Sequence, residues 1–423
     1  MSTELEQFAR FVDPESLKVF WVTVMFVAAT ASLLLLSGFT GNNLAVVNAI
    51  SAAERSVTGA TTRERLHFSA AQAMAAGELF SAAEIWEDIL LDHPRDALAL
   101  RFAHDMYVYL GQSQSIRDSI ARVLPQWSAS DDAYGYILGQ YAFGLEEAGE
   151  LAKAEDVGRR AIDINPEDGW AVHAVAHVLE TQCRQEEGIV FLKNSRPSWG
   201  KAHALAVHNG WHLALYLIEN GRLDEVLAGY DSHIQPKIAG DALLDLVDAA
   251  SLLWRVELAG GDVGDRWEEL TRQWITHVDE HVLAFNDLHL AFCVSRSKDL
   301  THLGRFRASL DRYQKFGVGD NCRTTVEVGR RIIDGVLAFA ERDYGKACDL
   351  LLPVRYSAIR IGGSHAQRDV LTQTIIVAAE RAGRVSLARA LLSERFAVRP
   401  TATTKSHLDR ATNAVTANHR GAA

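Results

Sequence analysis

From Arg63 onward the chain alternates apolar runs at helical spacing with short polar or glycine-bearing breaks. Arg63-Glu-Arg-Leu-His67 runs on through Met74, breaks at Gly77-Glu-Leu, resumes over Ala82-Ala-Glu-Ile-Trp86-Glu-Asp-Ile-Leu90 and stops at His93-Pro94. Apolar positions three and four apart put one face of each segment into a core, so this pattern predicts two helices joined by a tight turn. The same plan returns at Tyr134 to Pro166, with its break at Gly149 and its exit at Ile164-Asn-Pro166. Further breaks fall at Gly111, near Arg184, at Gly221 and Gly260, near Asp299, near Asp343 and at Gly383, from 34 residues apart (Gly77 to Gly111) to 44 (Asp299 to Asp343). No stretch alternates apolar and polar residues as a half-buried strand would; Ile359-Arg-Ile-Gly-Gly363 is too short and too rich in glycine.

A period that holds along most of a chain means one architecture, because each hairpin buries its apolar face only against its neighbours. Small residues at the helix crossing, an aromatic or leucine in the second helix and a proline at the exit are the mechanics of a tetratricopeptide hairpin. The expected fold is therefore all-α, a tetratricopeptide-like αα-hairpin superhelix of about eight to nine hairpins. The expected organisation is an irregular helical layer over 1–62, the repeat domain over 63–398, and a cap or frayed tail over 399–423. Within the first layer, Leu17 to Leu36 is nearly all apolar, interrupted by Lys18, Thr23, Thr30 and Ser32, and approaches the length of a spanning helix. Acidic residues precede it (Glu4, Glu6, Asp13, Glu15) where a signal peptide would be basic. We expect a buried helical layer here, with a membrane anchor over 17–36 as the alternative.

Charge narrows the partners. Of 423 residues, 54 are acidic and 43 basic, a net charge of -11, with no Arg/Lys cluster, which argues against nucleic acid. Four cysteines (183, 293, 322, 348) lie far apart and form no CxxC, as expected of free thiols in a reducing, cytoplasmic setting. The Gly-rich turns have no phosphate-loop or dinucleotide spacing.

The sixteen histidines are more than a surface needs, and they concentrate. His173 and His177 are i,i+4, with Glu180 three residues further on; His208 and His212 are again i,i+4, with Trp211 between them. In helices each pair points to one side. Counting back from the breaks, His173 lies 11 residues before Arg184, His208 lies 13 before Gly221, Asp248 lies 12 before Gly260 and Asn286 lies 13 before Asp299. Offsets this similar place these groups on one stacked inner surface with Asp245, Asp287 and His289, and Ser364-His365-Ala-Gln367-Arg368-Asp369 opens the last clear hairpin with another polar run.

Three chemistries fit this surface. His173, His177, His208 and His212 are suitable ligands for Zn or Fe, although the spacing is not the zincin His-Glu-x-x-His. Without a metal, a histidine oriented by Asp245 or Glu180 is a competent general base near neutral pH. The nucleophiles on offer, Cys183, Ser251 and Ser364, are ordinary. The third reading is an internal polar network that fixes the register of the stack. Most tryptophans fall at core or corner positions; Trp211 borders the histidines and belongs with the surface. Arg255, Arg330 and Arg368 are candidate partners for a carboxylate or phosphate.

Several strings resemble the tetratricopeptide repeat protein 38 family: Arg63–His67, Ala142–Glu147, Trp170–Glu180, His208–Leu215, Leu244–Asp248 with Ser251–Trp254, and Gly362–Asp369. The resemblance runs from about Arg63 to Ala379 and implies an all-helical, generally soluble repeat protein. It brings no catalytic assignment, so only the positions of these strings carry over. The functional expectation is a helical-repeat protein whose His/Asp/Glu-rich concave groove binds a small molecule or peptide. The groove's ligand contacts would be Trp211, Asp245, Asp248, Asn286, Asp287, His289, His365, Gln367, Arg368 and Asp369. The alternative is a hydrolase-like enzyme, metal-dependent or His-based, using His173, His177, Glu180, His208 and His212 on a small metabolite in the same groove. A homodimer through an exposed end of the array is a further expectation.

Overall fold

The computed structural model of the protein describes residues 22–200 and 203–421. Helices α1 (Val22–Leu36) and α2 (Leu44–Ser56) pack against each other and onto α3 (Thr62–Ala75), with Val24, Ala28, Ala53 and Phe68 in the shared core. Of the apolar stretch 17–36, residues 17–21 lie outside the described residues. Among the described residues no helix is long and apolar enough to cross a membrane.

Nine helix pairs then follow in the described residues. They are α3 with α4 (Leu79–Asp92), α5 (Ala97–Tyr109) with α6 (Ser113–Val123), α7 (Tyr134–Glu147) with α8 (Leu151–Ile164), and α9 (Gly169–Thr181) with α10 (Gln185–Asn194). After the single turn α11 (Arg196–Trp199), α12 (His203–Glu219) pairs with α13 (Leu223–Gly229). Beyond α14 (Gln235–Ile238) come α15 (Leu243–Leu258) with α16 (Arg266–Trp274), and α17 (Ala284–Val294) with α18 (Leu300–Phe316). A short α19 (Gly319–Thr324) leads to α20 (Arg330–Ala340) with α21 (Tyr344–Leu351), then α22 (His365–Arg381) with α23 (Val385–Val398), and α24 (Ala402–Gly421) is the last helix of the described residues. No strand occurs among the described residues.

Contacts group the chain into two compact units. One holds the residues up to Val175 together with Val318–Arg323; the other holds Ala176–Gly317 and Thr324 onward. In each unit the helix pairs stack as the all-α, tetratricopeptide-like fold that the periodicity predicts. In the first unit, Asp320 N–H donates to the Gly77 carbonyl at 2.9 Å and the Asp320 carboxylate accepts from Phe80 N–H at 3.1 Å.

The breaks close by one device. After α3, Gly77 takes φ 80°, its N–H donates to Met74 O at 3.0 Å and Glu78 N–H donates to Ala73 O at 2.9 Å. This paired closure satisfies carbonyls that a helix end leaves over, and it needs a residue in the left-handed region. It recurs at Gly111, Gly149, Gly221, Gly260 and Gly383, and also at Cys183 (φ 58°) and Arg342 (φ 64°). A β-carbon in that conformation costs about 1 kcal/mol. Because Arg342 is exposed, Arg342→Gly is expected to stabilise the chain by about 1 kcal/mol, which a denaturant melt against wild type reads directly. The break near Asp299 differs: α17 stops at Val294 and the Asp299 carboxylate caps α18 by accepting Thr301 N–H at 2.9 Å.

One contact matters for the site. Tyr216 on α12 donates its hydroxyl to Ala176 O of α9 at 2.6 Å, and its ring lies where a β-carbon on Gly188 would be, 2.3 Å from Cζ. Glycine at 188 therefore lets α12 settle close to α9 and α10.

Candidate functional site

Helix α9 is preceded by Asp168, whose carboxylate accepts Trp170 N–H at 2.9 Å, and the residues from Val172 to Leu179 are buried. Its inward face carries His177, fully buried, and α12 brings His208 and His212 to it from the side. The His177 and His212 rings meet edge-on with centroids 4.4 Å apart, and His208 and His212 do so at 4.9 Å. His177, His208 and His212 can each offer a ring nitrogen with all three within 4.8 Å of one another. His173, one turn earlier on α9, offers a nitrogen within the same distance of that of His177. The His173 ring stacks on Phe143 at 5.3 Å and stands edge-on to Trp170 at 5.7 Å.

Asp248 of α15 completes the group. Its carboxylate lies 2.8 Å from His208 Nδ1, and it is 1 % exposed. A carboxylate on Nδ1 fixes the ring and leaves Nε2 as the nitrogen to present. Burial raises the pKa of Asp248, and the His208 ring works against that rise. One turn earlier, burial and then repulsion from Asp248 push Asp245 up to about 7. Trp211 lies flat on His208, its ring 5.3 Å away and within 10° of parallel, and edge-on to His212. The Arg255 guanidinium sits 5.3 Å from the Trp211 ring and donates to the carbonyls of Ala366 (2.6 Å) and Gln367 (3.2 Å), tying α15 to the start of α22. Burial lowers the pKa of Arg255 to about 10.

Other residues of the expected surface have their own partners. Glu180 is held by Arg399 through two contacts, one of 3.2 Å between Nη1 and Oε2. Asp369 pairs with Arg395 (Nη2 to Oδ2, 3.1 Å) and accepts from Gln373 at 2.7 Å. The Gln367 carboxamide accepts Ser364 N–H at 2.9 Å while Ser364 Oγ accepts Gln367 N–H at 3.3 Å, a reciprocal cap that starts α22. Arg368 donates to Gly363 O, and His365 is exposed on the first turn of the same helix. His289 is buried on α17; its Nδ1–H donates to Phe285 O at 2.7 Å, and burial brings its pKa down to about 3, so it is neutral.

Asp287 and Asn286 belong to a second polar centre. His281 Nδ1 lies 3.1 Å from both Asp287 oxygens, and His281 Nε2 lies 3.0 Å from Ser309 Oγ. The order Ser–His–Asp is that of a hydrolytic relay. Yet Ser309 is 2 % exposed and its hydroxyl donates to Asp279, and the adjoining cavity beside Asn286 has about 10 Å³, room for one water. The group braces the turn before α17. Sequence reasoning missed His281 and Ser309, which sit on a turn and on an outer helix, away from the inner-face offsets. It also missed the buried His67–Asp96 contact (3.1 Å), buried His104, and buried Glu146 and Glu147 in the first unit. The 37-residue step from His67 to His104, close to the repeat period, was the signal available for that pair.

No protein-family model matches the chain. In structure it is similar to the human IFIT1 dimer with PPP-AAAA, at 13 % identity and a TM-score of 0.41 over 97 % of this chain and 94 % of that one. It is similar also to the human IFIT1 dimer with m7Gppp-AAAA, at 15 % identity and a TM-score of 0.41 over 99 % and 93 %. Likeness at this level does not extend to function.

Proposed function

We propose that this tetratricopeptide-like protein holds a transition metal, Zn or Fe, at His177, His208 and His212, and that it binds a small metabolite there. The observation that carries the reading is the meeting of three buried imidazoles, nitrogens within 4.8 Å, with Asp248 on Nδ1 of His208. Nitrogen ligands of neutral histidine suit Zn and Fe, and a carboxylate behind a ligating ring is the usual outer partner of such a site. A bound metal would supply Lewis acidity, which is the basis for a hydrolase-like activity. The chain's own part is to hold the rings: Asp248 sets His208, Trp211 covers one face of it, and Tyr216 keeps α12 on α9.

Burial of Asp245, Asp248 and His208 supports a small molecule over a peptide, since a peptide needs an open groove along the helices. The strings that resemble the tetratricopeptide repeat protein 38 family include both histidine helices, and we place the chain near that family. Four free cysteines fit a reducing cytoplasmic setting. A second reading, His208 as a general base oriented by Asp248 without metal, rests on the same 2.8 Å contact.

Elemental mass spectrometry on untagged protein purified without chelator decides between them. One Zn or Fe per chain is expected. Protein that purifies without metal and takes up neither Zn nor Fe(II) on incubation would leave only the metal-free reading.

A further inference from the structure

A cavity of about 560 Å³ opens at the turns where α15, α20 and α22 end, away from the inner-face histidines. It is lined by Glu257, Arg296, Phe339, Arg342, Tyr344 and Arg381. Its size is that of a small-molecule site. The protein as a whole carries a net charge of -11, yet this cleft gathers three guanidinium groups against one carboxylate. Arg296 Nε donates to Glu257 at 2.8 Å, which accounts for that carboxylate. Arg342 and Arg381 have no carboxylate partner among the described residues.

Two features show these arginines to be placed rather than incidental. The Arg381 guanidinium lies 5.4 Å from the Phe339 ring and 5.5 Å from the Tyr344 ring, with Nη1 3.5 Å from the Tyr344 hydroxyl, so aromatic faces hold it at the mouth. Arg342 occupies a hairpin break at φ 64°, a conformation that six of the eight equivalent breaks assign to glycine. A strained non-glycine residue that lines a cavity is a mark of function. Arginine at a helix end can also serve by complementing the helix dipole. Here the end of α20 is already closed by its own backbone, Arg342 N–H to Phe339 O at 3.0 Å and Asp343 N–H to Ala338 O at 2.9 Å.

We propose that this cleft binds a small molecule through a phosphate group, with Arg342 and Arg381 on its oxygens and Tyr344 beside them. Guanidinium forks match phosphate geometry, and two of them without a protein counter-charge leave the site favourable to an anion. The assignment is independent of the metal centre.

Thermal melts and calorimetric titration of the full chain with inorganic pyrophosphate, against sodium chloride at equal ionic strength, test it. Wild type is expected to melt several degrees higher with pyrophosphate. Arg381→Gln should lose that shift and bind at least tenfold more weakly. Arg342→Gly is the sharper variant: it should melt higher than wild type without pyrophosphate, because strain is relieved, and respond less to it. An Arg342→Gly protein that melts higher and still responds as wild type would reduce the arginine to a helix-end role and overturn the proposal. So would a wild type that responds to citrate and not to pyrophosphate, or to neither.

Discussion

Replacing His208 and His212 together by alanine is expected to give a folded protein without bound metal and without sensitivity to chelator. A ligand bound only to the folded state, at a thousandfold excess over its dissociation constant, stabilises by about 4 kcal/mol. Wild type stripped by chelator should therefore lose stability on that order, and the double variant, already without the metal, should lose none. The comparison matters because the substitutions also leave cavities: both rings are buried and touch each other and Trp211. Cavity costs lower the variant's stability with and without chelator alike, whereas the chelator difference belongs to the metal. Asp248→Asn should fall between, keeping a metal held roughly 10- to 100-fold more weakly, since it keeps the three imidazoles and weakens the group that orients His208. Equal chelator effects in wild type and the double variant would remove the metal from this site.

Much of this arrangement is legible in the order of residues. Glycine marks six of the hairpin breaks because a left-handed residue must stand there, and the expected positions near Arg184 and Asp343 sit one residue from Cys183 and Arg342, which take that conformation without being glycine. The i,i+4 spacing set each histidine pair on one face, and similar offsets from the breaks, 13 and 12 residues, put Asp248 near His208. What local pattern does not carry is pairing at a distance. Glu180 and its partner Arg399 are 219 residues apart, and no feature of either segment points to the other. Ser364-His-Ala-Gln367 spells a reciprocal helix cap as readily as a polar site, and the structure uses it as a cap. The arginine cleft is assembled from several different turns, each ordinary when read alone.

Asp369→Ala is expected to destabilise the protein by about 3–5 kcal/mol near neutral pH, the range for removing one member of a buried ion pair. Its partner Arg395 has only 7 % of its side chain exposed, and without Asp369 it keeps a single 3.5 Å contact with Glu219. The loss comes from the stranded guanidinium more than from the missing contact, so Asp369→Ala/Arg395→Met, which removes both charges, should recover much of the stability. The pH dependence follows from the same pair. Burial alone would raise the pKa of Asp369, but the charges of Arg395 and Arg399 overcome it and hold the carboxyl well below the ordinary carboxylate range. A depressed folded-state pKa contributes stability that is present above the unfolded value of about 4 and is lost as pH falls toward the folded one. Denaturant melts should thus show the full gap between wild type and Asp369→Ala at pH 7, and a gap that closes as pH drops below about 4. A gap that stays constant down to pH 3, or a double variant no more stable than the single one, would mean that Asp369 acts through packing and not through its charge.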